Sequence, residues 1–196
     1  MKKIIASVLV LTGLIICTLL GRAASYSLGS ASLAADIIEL DNLTVKASGN
    51  ARLATKQASQ AIPAGTIHLD SIRADIISIE LVRDKQKALN LKQAVATRNV
   101  VIKARRADRE TDDNGKPVVI MRNIDAVAQK AQFLRDEDKL ILTGNVNLKV
   151  LEPGNPQPMA ELSGETVVYY LKQNRIEIKG QSGKQPELTV GPKGGE

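Results

Sequence analysis

Apolar side chains recur at every second position through most of this chain, and that period limits what it can fold into more than any other feature. Ile77, Ile79 and Leu81 alternate with Ser78 and Glu80. Leu140 and Leu142 are followed by Val146, Leu148 and Val150 at two-residue steps, and Ile176 and Ile178 alternate with Arg175, Glu177 and Lys179. Successive side chains of a strand point to opposite faces, so this is the pattern of half-buried strands. No window shows helical spacing with capping signals; Ala88–Ala96 comes nearest and is short. With no helical crossovers between them, the strands pair antiparallel, and the fold class is all-β.

The interior of such a fold must be aliphatic. Aromatics make up 2% of the 196 residues, namely Tyr26, Phe133, Tyr169 and Tyr170, while hydrophobic residues reach 43%. That is enough apolar surface to exclude wholesale disorder, and the length suits one domain of ordinary size. Scarce aromatics argue against single-stranded nucleic-acid binding, which needs stacking platforms. The single cysteine, Cys17, excludes an internal disulfide framework and a multi-cysteine zinc site.

The chain also repeats itself. Ala35-Asp36-Ile37-Ile38 returns as Ala74-Asp75-Ile76-Ile77. A phrase of Asn, apolar, any, apolar, Lys occurs at Asn42–Lys46, Asn99–Lys103 and Asn145–Lys149. Ala131–Leu134, a polar turn at Arg135–Lys139 and Leu140–Gly144 read as a hairpin. Thr166–Leu171, Lys172-Gln173-Asn174 and Arg175–Gly180 read as another. Stacked hairpins bury their apolar faces against neighbours and build an elongated core.

The N-terminus carries a targeting signal. Met1-Lys2-Lys3 precedes seventeen uncharged residues, Ile4–Leu20, which would span roughly 25 Å as a hydrophobic helix. Gly21-Arg22-Ala23 offers small residues for cleavage after Ala23, and Ser32-Leu33-Ala34 offers a second site. Residues 1–23 therefore read as a signal peptide or, since the apolar run is long for one, as a retained anchor. Both readings place the remainder outside the cytoplasm. A lipoprotein signal fits less well, because Ile16 stands where a small residue is wanted before Cys17. Loss of Lys2, Lys3 and Arg22 would lower the net charge from +6 to +3, leaving 24 basic and 21 acidic residues, so nucleic acid is a poor candidate partner.

Catalytic parts are few. His68 is the only imidazole, within the strand-like Ile67-His68-Leu69, and there is no nucleophile elbow or phosphate-binding loop. Asp108–Val119 fails as a calcium loop, with Asp113 at position 6 and Val119 at position 12. Asp112 and Asp113 read as turn residues, and Asp136, Glu137 and Asp138 as a solvated hairpin tip. Asn42-Leu43-Thr44 is a glycosylation sequon by composition only. The expectation is a protein that is not an enzyme, with no cofactor and no metal. Arg105–Pro117 reads as a charged loop, and Glu152–Pro158, with three prolines, as another. The strand-rich domain is expected over residues 33–191, with residues 192–196 as a disordered tail.

One stretch resembles a known family. Asp138-Lys139-Leu140-Ile141-Leu142-Thr143-Gly144-Asn145-Val146-Asn147-Leu148 is similar to the signature of the organic-solvent-tolerance-like (OstA/LptA) domain. Asn114–Val118 precedes it, Leu162–Tyr170 follows it, and Arg175–Gly180 closes the unit. The resemblance is good over about residues 114–192, weaker over 66–105 and faint at 33–56. It implies an antiparallel two-sheet open twisted jelly roll, greasy inside and preceded by the N-terminal helix. It implies a periplasmic protein that holds the acyl chains of lipopolysaccharide between its sheets. It further implies end-to-end stacking, strand edge to strand edge, between an inner-membrane exporter component and an outer-membrane translocon of the same fold. If the N-terminal segment is retained, the likeness shifts to the single-pass, membrane-tethered (LptC-like) component of that exporter. A non-lipid-binding envelope scaffold with a filled core stays open as an alternative, and an acyl-modifying enzyme is a poorer one.

Together, alternation and resemblance give a set of inward, lipid-facing candidates: Ile77, Ile79, Leu81, Val100, Ile102, Phe133, Leu140, Leu142, Val146, Leu148, Ile176 and Ile178. Unfilled volume behind this stripe would distinguish a carrier from a scaffold.

Overall fold

The computed structural model describes residues 24–28, 31–55, 62, 65, 67–83, 89–155, 157–170, 173, 175–180 and 185–190. The N-terminal segment 1–23 and the tail 192–196 lie outside the described residues. Eleven strands form one antiparallel sheet: β1 (Ala24–Leu28), β2 (Ala31–Ala35), β3 (Ile37–Asp41), β4 (Thr44–Thr55), β5 (Ile67–Arg83), β6 (Leu89–Thr111), β7 (Pro117–Leu134), β8 (Lys139–Leu151), β9 (Pro158–Tyr170), β10 (Arg175–Lys179) and β11 (Glu187–Val190). No helix occurs among the described residues. The first strand starts at Ala24, ahead of the expected boundary at residue 33, and fully buried Leu33 belongs to β2.

Strands of 12 to 23 residues are too long to stay flat. Each of β4–β9 has a register break part-way along, and these breaks line up. The ladder skips Asp36 between β2 and β3, Asp75 in β5, Gln129 in β7 and Glu165 in β9. Opposite them, β4, β6 and β8 each insert a pair of residues in the left-handed region: Gly49-Asn50, Arg98-Asn99 and Gly144-Asn145. Two residues against one is a β-bulge, which bends and twists a strand. Aligned across neighbours, the bulges make a crease. Gly144 is required there, with φ of +80° and a would-be Cβ 2.7 Å from the Gln129 side chain.

The crease folds the sheet into two facing leaves. Leaf I holds β3, the parts of β4–β9 on one side of the bulges, and β10. Leaf II holds β1, β2, the other parts of β4–β9, and β11. The two layers are thus halves of one hydrogen-bonded sheet, where two sheets were expected. Strands pass from leaf to leaf through the bulges without a break in the chain.

The sequence repeats now have a physical meaning. Both Ala-Asp-Ile-Ile copies, and the Asn phrases at 99 and 145, are crease segments. The phrase at Asn42 is not equivalent: Asn42 sits in the β3–β4 turn, and Asn50 occupies the crease. Ile37–Val45 accordingly contains the β3–β4 turn, with Asp41 opposite Thr44. Arg105–Thr111 also departs from expectation. It continues β6, and only residues 112–116 form the turn. Its charges fit a strand because Asp70 on β5 pairs with Arg105, and Arg122 on β7 pairs with Asp108 and Glu110. Ala88–Ala96, the nearest helical candidate, contributes residues to β6 from Leu89 onward.

Candidate functional site

The core is solid at the crease and hollow away from it. Beside the bulges, Val45, Ile77, Val100 and Val146 are all at most 1% exposed and close the gap between the leaves. Further out, several inward positions hold only alanine, including Ala94, Ala104 and Ala126. Methyl groups facing each other across two leaves do not reach, and a cavity of about 810 Å³ remains. This is within the usual range for small-molecule sites.

Eight of the twelve inward candidates line this cavity: Ile79, Leu81, Ile102, Phe133, Leu140, Leu142, Leu148 and Ile176. Ile77, Val100 and Val146 belong to the solid core at the crease, and Ile178 packs against that core; none of these four is on the cavity wall. Leu53, Leu69, Ile72, Leu91, Ile124, Val150 and Val167 add to the aliphatic lining. Three of the four aromatic residues also face it, namely Tyr26, Phe133 and Tyr169. Tyr170 points the other way, where Arg175 lies over its ring at 4.2 Å.

The lining has a few polar members, among them Thr55 and Arg106 from leaf II and Asn90 and Arg135 from leaf I. Arg135 donates from Nη1 to the Leu91 carbonyl at 3.3 Å. Thr55 donates to the Leu69 carbonyl and meets His68 Nε2 at 3.2 Å. This is not a nucleophile–base–acid relay. Asp70 approaches the same imidazole nitrogen, at 3.7 Å, and its carboxylate is held by two nitrogens of Arg105.

Beyond Arg106 the concave face of leaf II becomes ionic. Arg106 donates from Nε to Asp108 at 2.9 Å, and Arg122 donates from Nη1 to the same carboxylate oxygen at 2.6 Å. Arg122 also reaches Glu110 and, at 3.4 Å, Glu152. It is 3% exposed, and its Nε has no hydrogen-bond partner among the described residues. Burial opposes the charge of Arg122, but the hydrogen bonds it donates to three carboxylates win and hold it protonated. Burial likewise works against ionised Asp108, yet hydrogen bonds from Arg122 and Arg106 keep its carboxyl below the ordinary range. Burial pushes the Tyr169 hydroxyl up, against the opposing charge of Arg106. Tyr169, on leaf I, therefore lies close to the ionic lip of leaf II. Arg106 was legible in sequence as the next two-residue step after Ile102 and Ala104, but was hidden by reading residues 105–117 as a loop.

The geometry defines a class: an all-β protein whose single sheet is folded around an elongated apolar cavity. No protein-family model matches the sequence, and no curated protein is significantly similar to it. The fold does have a solved counterpart, LptH from Pseudomonas aeruginosa, the LptA-homologous periplasmic component of the lipopolysaccharide transport device. The two are similar with a TM-score of 0.52 over 83% of this chain and 95% of that chain, at 14% sequence identity. The likeness is one of fold, and the fold is LptA-like.

Proposed function

We propose that this protein carries lipopolysaccharide, or a closely similar glycolipid, across the periplasm with its acyl chains in the cavity between the leaves. The observation behind this reading is the unfilled volume behind an aliphatic stripe, which a structural scaffold with a packed core does not need. Each methylene moved from water to such a wall contributes about 0.8 kcal/mol, so chain length supplies the affinity. The wall gives almost no direction, and the few polar groups, Arg106 and Arg135 among them, would orient a head group. The Thr55 hydroxyl beside His68 gives its proton to the Leu69 carbonyl and not to the imidazole, which favours binding over catalysis.

In this reading the molecule is one segment of a bridge towards the outer membrane. Its terminal strands pair with same-fold components or further copies, since an unpaired edge offers free N–H and C=O groups. A retained N-terminal segment would make it the membrane-tethered component of the same exporter, and the uncharged run Ile4–Leu20 is what favours that second reading.

Photoreactive residues test the cavity directly. Leu142 and Leu148 face it, whereas Asn147 points outward and donates to Glu161 at 2.6 Å. Labelling of co-purified glycolipid is expected at Leu142 and Leu148 and not at Asn147. Equal labelling at Asn147 and Leu148 would sink the proposal.

A further inference from the structure

The two leaves differ in width by one strand. Leaf I runs from β3 to β10, whereas leaf II runs from β1 through β2 to β11, and β1 has no counterpart in leaf I. The direction of β1 gives this extra strand a meaning. β2 and β3 form one bent strand, interrupted only at Asp36, which runs from leaf II to leaf I. β9 runs the same way. β10 and β11 both pair antiparallel to β9, one in each leaf, so together they run from leaf I to leaf II. The β2–β3 strand of a second copy placed against β10–β11 would therefore continue the antiparallel alternation in both leaves at once. In leaf II, however, the outer edge of β2 is taken by β1, which runs in the direction β11 would take.

The register agrees as well. Tyr26 of β1 lies opposite Leu33, three residues before the crease residue Asp36. Leu188 of β11 lies opposite Leu162, three residues before the crease residue Glu165. Leu33 and Leu162 are both buried and inward. Tyr26 thus holds the place, relative to the crease, that Leu188 of another copy would hold. Leu188 itself is 62% exposed, an apolar residue with no neighbouring strand on its outer side among the described residues.

We propose that β1 is an intramolecular stand-in for the β11 of a second copy, and that its departure opens the edge of β2 as a docking site for that strand. The inference rests on the end-to-end pairing in the proposed function, and adds to it a built-in brake. With β1 seated, the outer edge of leaf II is β1 itself, which would meet β11 parallel, so antiparallel pairing with an incoming copy is confined to β3 in leaf I. With β1 displaced, both leaves pair, and head-to-tail growth does not close on itself.

The protein as isolated from cells, in a Cys17→Ser background, provides the test by sedimentation across a concentration series. Tyr26→Asp puts a charge against the apolar cavity and should release β1, lowering the concentration needed for assembly by at least about tenfold. A Ser25→Cys/Ala34→Cys pair joins residues directly opposite each other, a spacing that suits a disulfide. Oxidised, it should hold the protein at its smallest size, and reduction should restore growth. Proline at Leu188 or at Thr189 discriminates further. Amides alternate along a strand, so one of these N–H groups faces β9 and the other faces the free edge. The free-edge variant should abolish growth of Tyr26→Asp with the fold intact by circular dichroism. Wild type that elongates as readily as Tyr26→Asp and ignores the disulfide would overturn the brake while leaving end-to-end pairing in place. Tyr26→Asp that stays monomeric throughout while keeping its β-sheet signal would overturn both.

Discussion

Asn99 donates from Nδ2 to both carboxylate oxygens of Asp75, at 3.1 Å and 3.2 Å, across the bulge where β5 and β6 turn from one leaf to the other. Asn50 makes the equivalent bond to Asp36, at 3.2 Å, one strand pair earlier. Asn99 has φ of +52°, in the left-handed region that asparagine tolerates and branched residues do not. Replacing Asn99 by Val should cost about 1–3 kcal/mol in urea denaturation. Asn99→Gly, which keeps the backbone and loses only the side-chain bond, should cost clearly less. Equal losses would mean that the hydrogen bond, and not the backbone conformation, maintains the bend.

Cavity volume is the second expectation. Ala94 and Ala126 face the void from leaf I and leaf II. Ala94→Phe or Ala126→Phe should occupy part of it and reduce glycolipid recovered with the purified protein, with little change in melting temperature. Retention of the full lipid load by the Ala94→Phe/Ala126→Phe double variant would show that the ligand lies elsewhere.

The ionic lip makes a prediction about acid. Asp108 has a folded-state pKa below its ordinary value, so ionised Asp108 stabilises the fold above about pH 4, and the contribution is lost as pH falls through the lowered folded pKa. Wild type should therefore lose stability steeply below about pH 4, and Asp108→Asn should show a flatter profile from a lower starting point. Arg122→Ala leaves three carboxylates facing one another and should cost about 3–5 kcal/mol near neutral pH. A loss under about 1 kcal/mol would show that water or rearrangement replaces the guanidinium.

Processing carries its own prediction. Mass spectrometry of the protein from its native membrane fraction should find Ala24 as the first residue, with segment 1–23 removed. A cut after Ala34 instead would delete Leu33 and with it a fully buried contact of the core. An intact Met1 in a membrane-embedded product would move the assignment to the tethered component.

The strands were legible because the two-residue period survives any packing detail. All twelve inward candidates lie in the buried cluster or pack against it. What the period does not contain is the distance to the opposite leaf. Ile77 and Ile79 are one step apart in the same strand, yet the first meets solid core and the second a void. That difference is made by alanines on other strands. The crease was half legible: Ala-Asp-Ile-Ile stood out as a repeat, but its partner Gly49-Asn50 did not resemble Arg98-Asn99 in letters. Left-handed conformation unites them, and asparagine and glycine reach it by different routes. Arg105–Thr111 resembles a loop in sequence because dense charge normally signals solvent, whereas here the buried Arg122 pairs with Asp108 and Glu110 along the strand.

Each of the long strands β4–β9 carries its own bend, and this makes the length of the trough a matter of arithmetic. Neighbouring strands lie about 4.8 Å apart, so one extra hairpin with the same paired bulge would lengthen the channel by roughly 10 Å without altering any existing contact. The gauge of the channel, by contrast, is written in the side chains near the lips, where alanine or phenylalanine decides the bore. Reach and bore are therefore separable quantities in this architecture: duplication of a hairpin tunes one, and point substitution tunes the other.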